Sequence, residues 1–427
     1  MDHSTKPIKA LAYRSQRAFL GLTLGIALAA CSQGADKTNA ENGTVEGTKS
    51  TLTLTQWLDE QYATELQFSP IELTFLGRKE RNDEIDAFTY EAFAEQLAWK
   101  TASVAQMKEL FAPSQLTGDE LLSYDLWIYQ LQRMQESKVF FYDGLVFDQM
   151  NGVQNFVPTF LINFHRVENA DDMTAYIERV RAVKPRMEEA IANAVKAAGK
   201  GVVSPPFALD GTITQARSII TGKPFDTNAA KDSDLWADMR QEVKTLLEAG
   251  TIDSIAAGQL TAQAKDALIN HLQPAYEDII QWAENEKDRA PEVSTGVGSQ
   301  PGGAAYYAYR LRSQTTTDLT ADEIHQIGLD EVARLRKDME AIKDQVGFDG
   351  SLQDFFEHVR DGEWNYYPNT DEGRQGYIDD ATAAIDGIKA QLPNYFGLLP
   401  QADLVVKRVE PFRERDGAAQ HYYPGTP

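Results

Sequence analysis

Most apolar positions of this chain recur with the three- to four-residue spacing of amphipathic α-helices. The first stripe consists of Leu54, Trp57, Leu58, Tyr62 and Leu66. It ends at Ser69-Pro70, because a residue that precedes proline disfavours helical backbone. The same periodicity predicts helices over residues 90–111, 119–137, 171–198, 235–248, 261–286, 321–345 and 376–391. The chain is therefore predicted to be mainly α.

Local signals add one sharp helix start and one strand to this pattern. Thr320 and Glu323 have the spacing of a capping box, so the helix over 321–345 is expected to begin there. Residues 404–409 are rich in β-branched side chains and are followed by Pro411, which predicts a short strand. The expected fold class is one large helical domain with one or two short strands.

Two segments rich in glycine and proline interrupt the helical pattern, at residues 199–211 and 290–305. Each could divide two subdomains, or could form a long loop inside one domain. The helices on either side are long, and each needs its neighbours to bury its apolar face. We therefore interpret residues 51–427 as one helical domain.

The composition is that of a folded, water-soluble chain. The 427 residues are 42% hydrophobic and 25% charged, and the formal net charge is −23. Affinity for nucleic acid comes from clustered lysine and arginine, so this acidic balance argues against a non-specific nucleic-acid binder. The chain has one cysteine, which excludes an internal disulfide and any cysteine-rich metal site.

The first thirty residues have the features of a secretory signal. Residues 1–17 contain four lysines and arginines, and residues 18–30 form an apolar run of 13 residues. That run is too short to span about 30 Å of hydrocarbon as a helix. It leads directly into Cys31, the single cysteine, in a pattern that resembles the bacterial lipobox.

The lipobox resemblance implies that residues 1–30 are removed and that Cys31 becomes lipidated, for example with palmitate. Ser32, in place of aspartate, implies sorting to the outer membrane of a Gram-negative bacterium, with the protein facing the periplasm. The acyl chains would supply the membrane contact. Residues 31–50 are polar and are predicted to form a flexible tether. A chance cysteine at the end of a signal peptide is the alternative.

The residues themselves do not identify a reaction. The sequence contains no H-E-x-x-H helix, no G-x-S-x-G elbow, no Walker A loop and no dinucleotide fingerprint. His165 stands three residues before Glu168 in an H-x-x-E arrangement, but a metal site would need further ligands. We interpret His165 as a loop histidine beside a solvated acidic stretch. His325 lies in the helix predicted over 321–345, near Glu323 and Asp330, and His358 lies between predicted helices; their roles stay open.

Several short segments resemble one bacterial family, the "domain of unknown function 885" family. These segments are residues 66–70, 75–81, 164–168, 306–309, 315–320, 323–332 and 395–400. The resemblance runs from about residue 52 to the end of the sequence. Members of this family look like helical zinc metallopeptidases, so the resemblance implies the helical part of a zincin-type fold. Zinc is expected in a complete member.

The resemblance also sets a limit on catalysis. In the family, the segment that resembles residues 418–423 leads into a zinc-binding helix, and no such helix follows in this sequence. No metal ligand or catalytic residue can therefore be carried over, and no cofactor is expected in this chain. We interpret the chain as the N-terminal two-thirds of a peptidase, inactive as given. The alternative is a non-catalytic lipid-anchored binding or scaffold module; a hydrolase that uses carboxylates alone is a weaker third.

The resemblance further implies that the C-terminal residues lie near a substrate cleft. An edge strand over 404–409 would pair with extended peptide, as peptide-binding proteins commonly do. The candidate cleft residues are Val405, Val406, Val409, Tyr422 and Tyr423. Alternatively, the two tyrosines merely pack beneath a turn.

Overall fold

A computed structural model describes residues 52–291, 293, 296–408 and 422 of the chain. Its described part is built from α-helices joined by loops and short 3-10 turns. The helices are α1 (Leu54–Glu65), α2 (Pro70–Phe75), α3 (Tyr90–Leu110), α4 (Asp119–Val139), α5 (Val153–Phe164), α6 (Ala170–Gly199), α7 (Pro206–Ile219), α8 (Asp234–Glu248), α9 (Ser254–Ala267), α10 (Gln273–Glu286), α11 (Gly303–Thr315), α12 (Ala321–Gln345), α13 (Leu352–Asp361) and α14 (Asp371–Lys389). The prediction of a mainly α fold is confirmed.

The helix predicted over 261–286 is instead two helices, α9 and α10. A π turn over Leu268–Leu272 joins them, and Pro274 stands in the first turn of α10. Proline has no backbone N–H to donate and its ring crowds the preceding turn, so the chain widens there. Side-chain periodicity continues through such a turn, which explains why the sequence suggested one helix.

The strand predicted over residues 404–409 is wrong for the residues that can be tested. Residues 404–408 have no strand conformation, and Val409 lies outside the described part of the chain. Leu404 and Val405 are exposed to solvent, and Val406 is half-buried. The described residues contain only one isolated β-bridge, between Lys223 and Asp232, so no second strand is present to pair with this segment.

The main hydrophobic core surrounds α6. One face of this helix buries Met173, Tyr176, Ile177, Val180, Val183 and Met187 completely. Side chains of α5, α8, α9 and α10 complete this core. Because each fully buried large side chain stabilises the fold by roughly 1.5–3 kcal/mol, α6 is the element on which the rest of the domain depends.

A smaller core joins α1, α3 and α4 through Trp57, Met107 and Trp127. It also encloses the ammonium group of Lys100, which is fully buried. Lys100 Nζ lies 3.0 Å from Glu65 Oε2 and 3.1 Å from the centre of the Trp127 ring. The ion pair and the cation–π contact compensate for the loss of water around this charge.

The C-terminal helices bury little. Of residues 303–408, only Gly303 and Gly373 are buried. The capping box of α12 forms as predicted: Glu323 N–H donates to the Thr320 hydroxyl, and the Glu323 carboxylate accepts from Thr320 N–H at 2.8 Å. The apolar stripe of α12 nevertheless faces solvent, and its exposed members include Val332, Leu335, Met339 and Ile342.

Two further findings concern the ends of the sequence and the membrane. Cys31 and Tyr423 lie outside the described residues, whereas Tyr422 is described and is exposed. Among the described residues, no helix combines the length and the apolar composition that crossing a bilayer requires.

Candidate functional site

His165 is a buried structural residue rather than a loop histidine among solvated carboxylates. Only 5% of its surface is exposed. Its Nε2 lies 3.0 Å from the carbonyl oxygen of Asp172, and its Nδ1 lies 2.9 Å from Nη1 of Arg179. Nε2 therefore carries the proton and Nδ1 accepts from the guanidinium. Burial, as the largest cause, lowers the pKa of His165 to about 4, so the ring is neutral at pH 7.

Arg179 of α6 is the centre of this buried group. It is fully buried and donates to the carbonyl oxygens of Glu84 and Pro70, at 2.9 Å and 3.3 Å. It also donates to the hydroxyl of Thr74 at 2.6 Å. One guanidinium thus fastens α2 and the loop after it to α6. Burial lowers the pKa of Arg179 to about 10, which still leaves it charged at pH 7.

Three of the family-like segments meet around Arg179. In residues 66–70, the hydroxyl of Ser69 donates to the Asp86 carboxylate at 2.6 Å. From residues 75–81, Lys79 Nζ pairs with Asp172 Oδ2 at 2.6 Å. Phe75 packs edge-on against Phe164 of the segment 164–168, with ring centroids 4.6 Å apart. These segments, together with Arg179, form what we call the Arg179 node, and their role is to hold the fold together.

The histidines do not fit a zinc site. Both ring nitrogens of His165 are already bound to other groups. His325 is exposed on α12, and His358 lies on α13 beside the rings of Phe348 and Trp364. Within the described ranges, no group of three or more His, Cys, Asp or Glu side chains is placed to hold a metal ion. His421 lies outside those ranges.

A cleft of about 430 Å³ lies where the two segments rich in glycine and proline meet. Its walls belong to residues 143–145, 201–205, 289–291 and 296–306. This volume lies within the range of about 300–1,000 Å³ that is usual for ligand sites. The loop parts of these two segments therefore enclose a cleft.

Glycines bring the cleft walls close together. Gly201 has a φ of +88°, and a Cβ added there would lie 2.9 Å from Cγ of Pro301. A Cβ added at Gly144 would lie 3.1 Å from the Tyr306 hydroxyl. A side chain at Gly201 would be strained, because only glycine adopts this backbone readily, whereas one at Gly144 would require a small shift of the Tyr306 side chain.

Charge at the cleft is mixed, although the whole chain is acidic. Asp143 pairs with Lys200 at 3.2 Å. Arg289 is largely exposed, and its Nη1 lies 3.9 Å from Oε2 of Glu286, the limit of an ion pair. The Arg289 guanidinium can therefore meet a carboxylate of a ligand without first breaking a tight contact.

The residues predicted to line a substrate cleft are not among those that line this one. Val405, Val406 and Tyr422 do not belong to its walls, and Val409 and Tyr423 lie outside the described part of the chain. Their role at a substrate site stays a prediction. The signal that pointed to the cleft was the pair of glycine- and proline-rich segments, which had been interpreted as junctions or loops.

A hydrogen bond between the buried Tyr176 and the half-buried Asp238 links α6 and α8. The Tyr176 hydroxyl donates to Asp238 Oδ2 at 2.8 Å. Burial is the main cause that raises the pKa of Asp238 to about 6, and the nearby Glu242 carboxylate raises it further. Burial also raises the pKa of Glu242. Asp238 therefore changes its charge in mildly acidic solution.

Comparisons with known proteins agree with this fold. No curated protein matches the chain. A crystal structure of the "putative lipoprotein from Colwellia psychrerythraea" matches it with a TM-score of 0.66 and 17% sequence identity. The match covers 82% of this chain and 62% of that one, so the chain spans less than two-thirds of that protein. The family model "Bacterial protein of unknown function (DUF885)" matches residues 70–427, and the chain therefore belongs to the DUF885 family.

Proposed function

We propose that the chain is a lipid-anchored protein of the outer membrane, facing the periplasm, whose helical domain binds extended peptide in the cleft between residues 143–145, 201–205, 289–291 and 296–306. The observation that carries this proposal is the cleft itself, which has a ligand-sized volume and walls of irregular backbone. Loops of this kind offer backbone N–H and C=O groups to a ligand, whereas the same groups in a helix are already hydrogen-bonded within the helix. An extended peptide needs such partners along its length.

The loosely held cation supports a peptide as the ligand. Arg289 at the rim can pair with a terminal or side-chain carboxylate. The resemblance of the chain to peptidases points to the same class of ligand.

Substitution of Leu145, which is 39% exposed at the cleft wall, tests the proposal. We expect Leu145→Trp to fill part of the cleft and to weaken the binding of a hexapeptide pool at least about tenfold, as measured by calorimetry on the detergent-solubilised lipidated protein. Ile255→Trp is the matched control, because Ile255 is 71% exposed on α9 and outside the cleft. Equal binding by both variants, or no saturable binding by the unmodified protein, would refute the proposal.

Hydrolysis is not assigned to the described residues. The resemblance implies zinc in a complete relative, but the histidines described here are held by other groups or lie far from a ligand set. We expect the purified 427-residue chain to contain much less than one zinc per molecule by mass spectrometry of the metal content. Zinc bound one-to-one, with peptide cleavage abolished by a chelator, would contradict this expectation.

Lipid anchoring rests on the sequence around Cys31, and the structural neighbour is itself called a lipoprotein. We expect Cys31→Ser to abolish incorporation of a labelled fatty acid and to block signal cleavage, because the thiol is the acceptor of the lipid. Ser32→Ala is the control and should be labelled normally. Ser32→Asp should keep the label but retain the protein in the inner membrane. Labelled Cys31→Ser protein would show that the lipid is attached elsewhere.

A further inference from the structure

A second, much smaller cavity adjoins the cleft. The two share Gly144, Leu145 and Val203 in their walls. The small cavity has a volume of about 10 Å³, the space that one water-sized group occupies. Its remaining wall includes Trp282 and Glu286, which are one helical turn apart on α10 and therefore on one face of it.

Both of these side chains have a buried polar atom without a partner. Trp282 Nε1 and Glu286 Oε1 make no hydrogen bond among the described residues. Glu286 is only 6% exposed, and its other oxygen is the one that faces Arg289 at 3.9 Å. Since buried polar groups are nearly always paired, two unpaired atoms on side chains that line the same cavity call for an occupant.

The chemistry of the two atoms defines that occupant. The indole N–H can only donate, and a carboxylate oxygen can only accept. An occupant must therefore accept one hydrogen bond and donate another within the volume of a single oxygen. An ammonium group cannot accept, a carboxylate cannot donate, and a methyl group does neither. A hydroxyl group and a water molecule meet both requirements.

We propose that this cavity is a subsite for a hydroxyl group of the ligand in the cleft, and that the group is the side chain of serine in a bound peptide. This inference rests on the proposed peptide binding. Without ligand, a water molecule fills the cavity, and the serine hydroxyl replaces its two hydrogen bonds. The cavity holds only one small group, so the additional methyl of threonine fits less well.

Hexapeptides that differ only by serine, threonine or alanine at one position test the subsite on the lipidated protein. At the position that reaches the cavity, we expect serine to bind at least about tenfold more tightly than alanine, and threonine to fall between them, because a site built around a hydroxyl leaves its polar atoms unpaired when that group is missing.

Two variants assign the preference to the two polar atoms. Trp282→Phe keeps an aromatic ring and removes the N–H, while Glu286→Met keeps the length of the side chain and removes the carboxylate. We expect each to erase the preference for serine over alanine, and thermal melts verify that each is folded.

The outcomes separate this inference from the proposed function. Saturable peptide binding without any serine preference would show that the cavity holds a structural water only, and would overturn the inference while peptide binding stands. No saturable binding of any peptide would overturn both. A serine preference that survives both variants would place the hydroxyl site elsewhere and would also overturn the inference.

Discussion

Replacing Arg179 with methionine is expected to lower the free energy of unfolding by about 3–5 kcal/mol. Methionine fills similar space but donates no hydrogen bond. The carbonyl oxygens of Pro70 and Glu84, the Thr74 hydroxyl and Nδ1 of His165 would then all lose their donor inside the protein. Each buried acceptor that is left unpaired costs about 1–3 kcal/mol.

The control for this prediction lies two residues along the same helix. Arg181 is partly exposed and pairs with Glu178 of its own helix. Arg181→Met should therefore change the free energy of unfolding by no more than about 1 kcal/mol. Urea unfolding of both variants, followed by circular dichroism, measures the difference. If Arg179→Met is as stable as Arg181→Met, the Arg179 node does not hold α2 to α6.

Acidification should change stability through two groups that oppose each other. The folded pKa of His165 is about 4, below the ordinary value of 6.5, so between these values the unfolded chain binds more protons than the folded one. The neutral, buried His165 contributes about 3 kcal/mol to the free energy of unfolding above pH 6.5, and this contribution is lost as the pH falls to 4. Asp238, whose folded pKa is about 6 against 3.8, has the opposite sign. Above pH 6 the charged, half-buried Asp238 lowers the free energy of unfolding. As the pH falls from 6 towards 3.8, protonation of Asp238 in the folded state removes this destabilisation.

Asp238→Asn separates the two effects. Asparagine can still accept from the Tyr176 hydroxyl but carries no charge, so we expect the variant to gain about 2–3 kcal/mol of stability near neutral pH. The loss caused by His165 is then no longer offset, and the variant should lose more stability than the unmodified protein between about pH 6.5 and about pH 4.

Urea unfolding across this range measures the effect. Asp278→Asn is the charge-matched control, because Asp278 is exposed on α10. The control should follow the profile of the unmodified protein within about 0.5 kcal/mol. Parallel profiles for the two variants would show that the pKa of Asp238 is not raised in the folded protein.

The sequence predicted helices well where one face of a helix is apolar. α3, α4, α6 and α8 lie close to their predicted bounds, because burial of one stripe produces the spacing that was recognised. α12 also lies at its predicted bounds, although its apolar stripe is exposed. α5 was missed; it contains Pro158, and a proline inside a helical pattern normally indicates that the helix ends. α7 was missed because Pro206 begins it, inside a segment interpreted as a loop. The strand over residues 404–409 failed because β-branched side chains do not form a strand without a partner.

The candidate site could be predicted only in part, since its walls come from three segments far apart in the sequence. The glycine- and proline-rich composition marked two of these segments as loops, but only the packing of α6, α7 and α10 brings them together. Likewise, nothing local distinguished His165 from a solvated histidine. Its burial depends on Arg179, which is fourteen residues away and on another element.

Peptide binding in the cleft is the central claim, and hydrogen–deuterium exchange of the lipidated protein tests it most directly. Exchange is measured with and without a saturating serine-containing hexapeptide. We expect the peptide to slow exchange in residues 143–147, 201–205 and 296–306 and to change exchange in α12 little. Slower exchange confined to α12 or to other helices, with the cleft segments unchanged, would contradict the account.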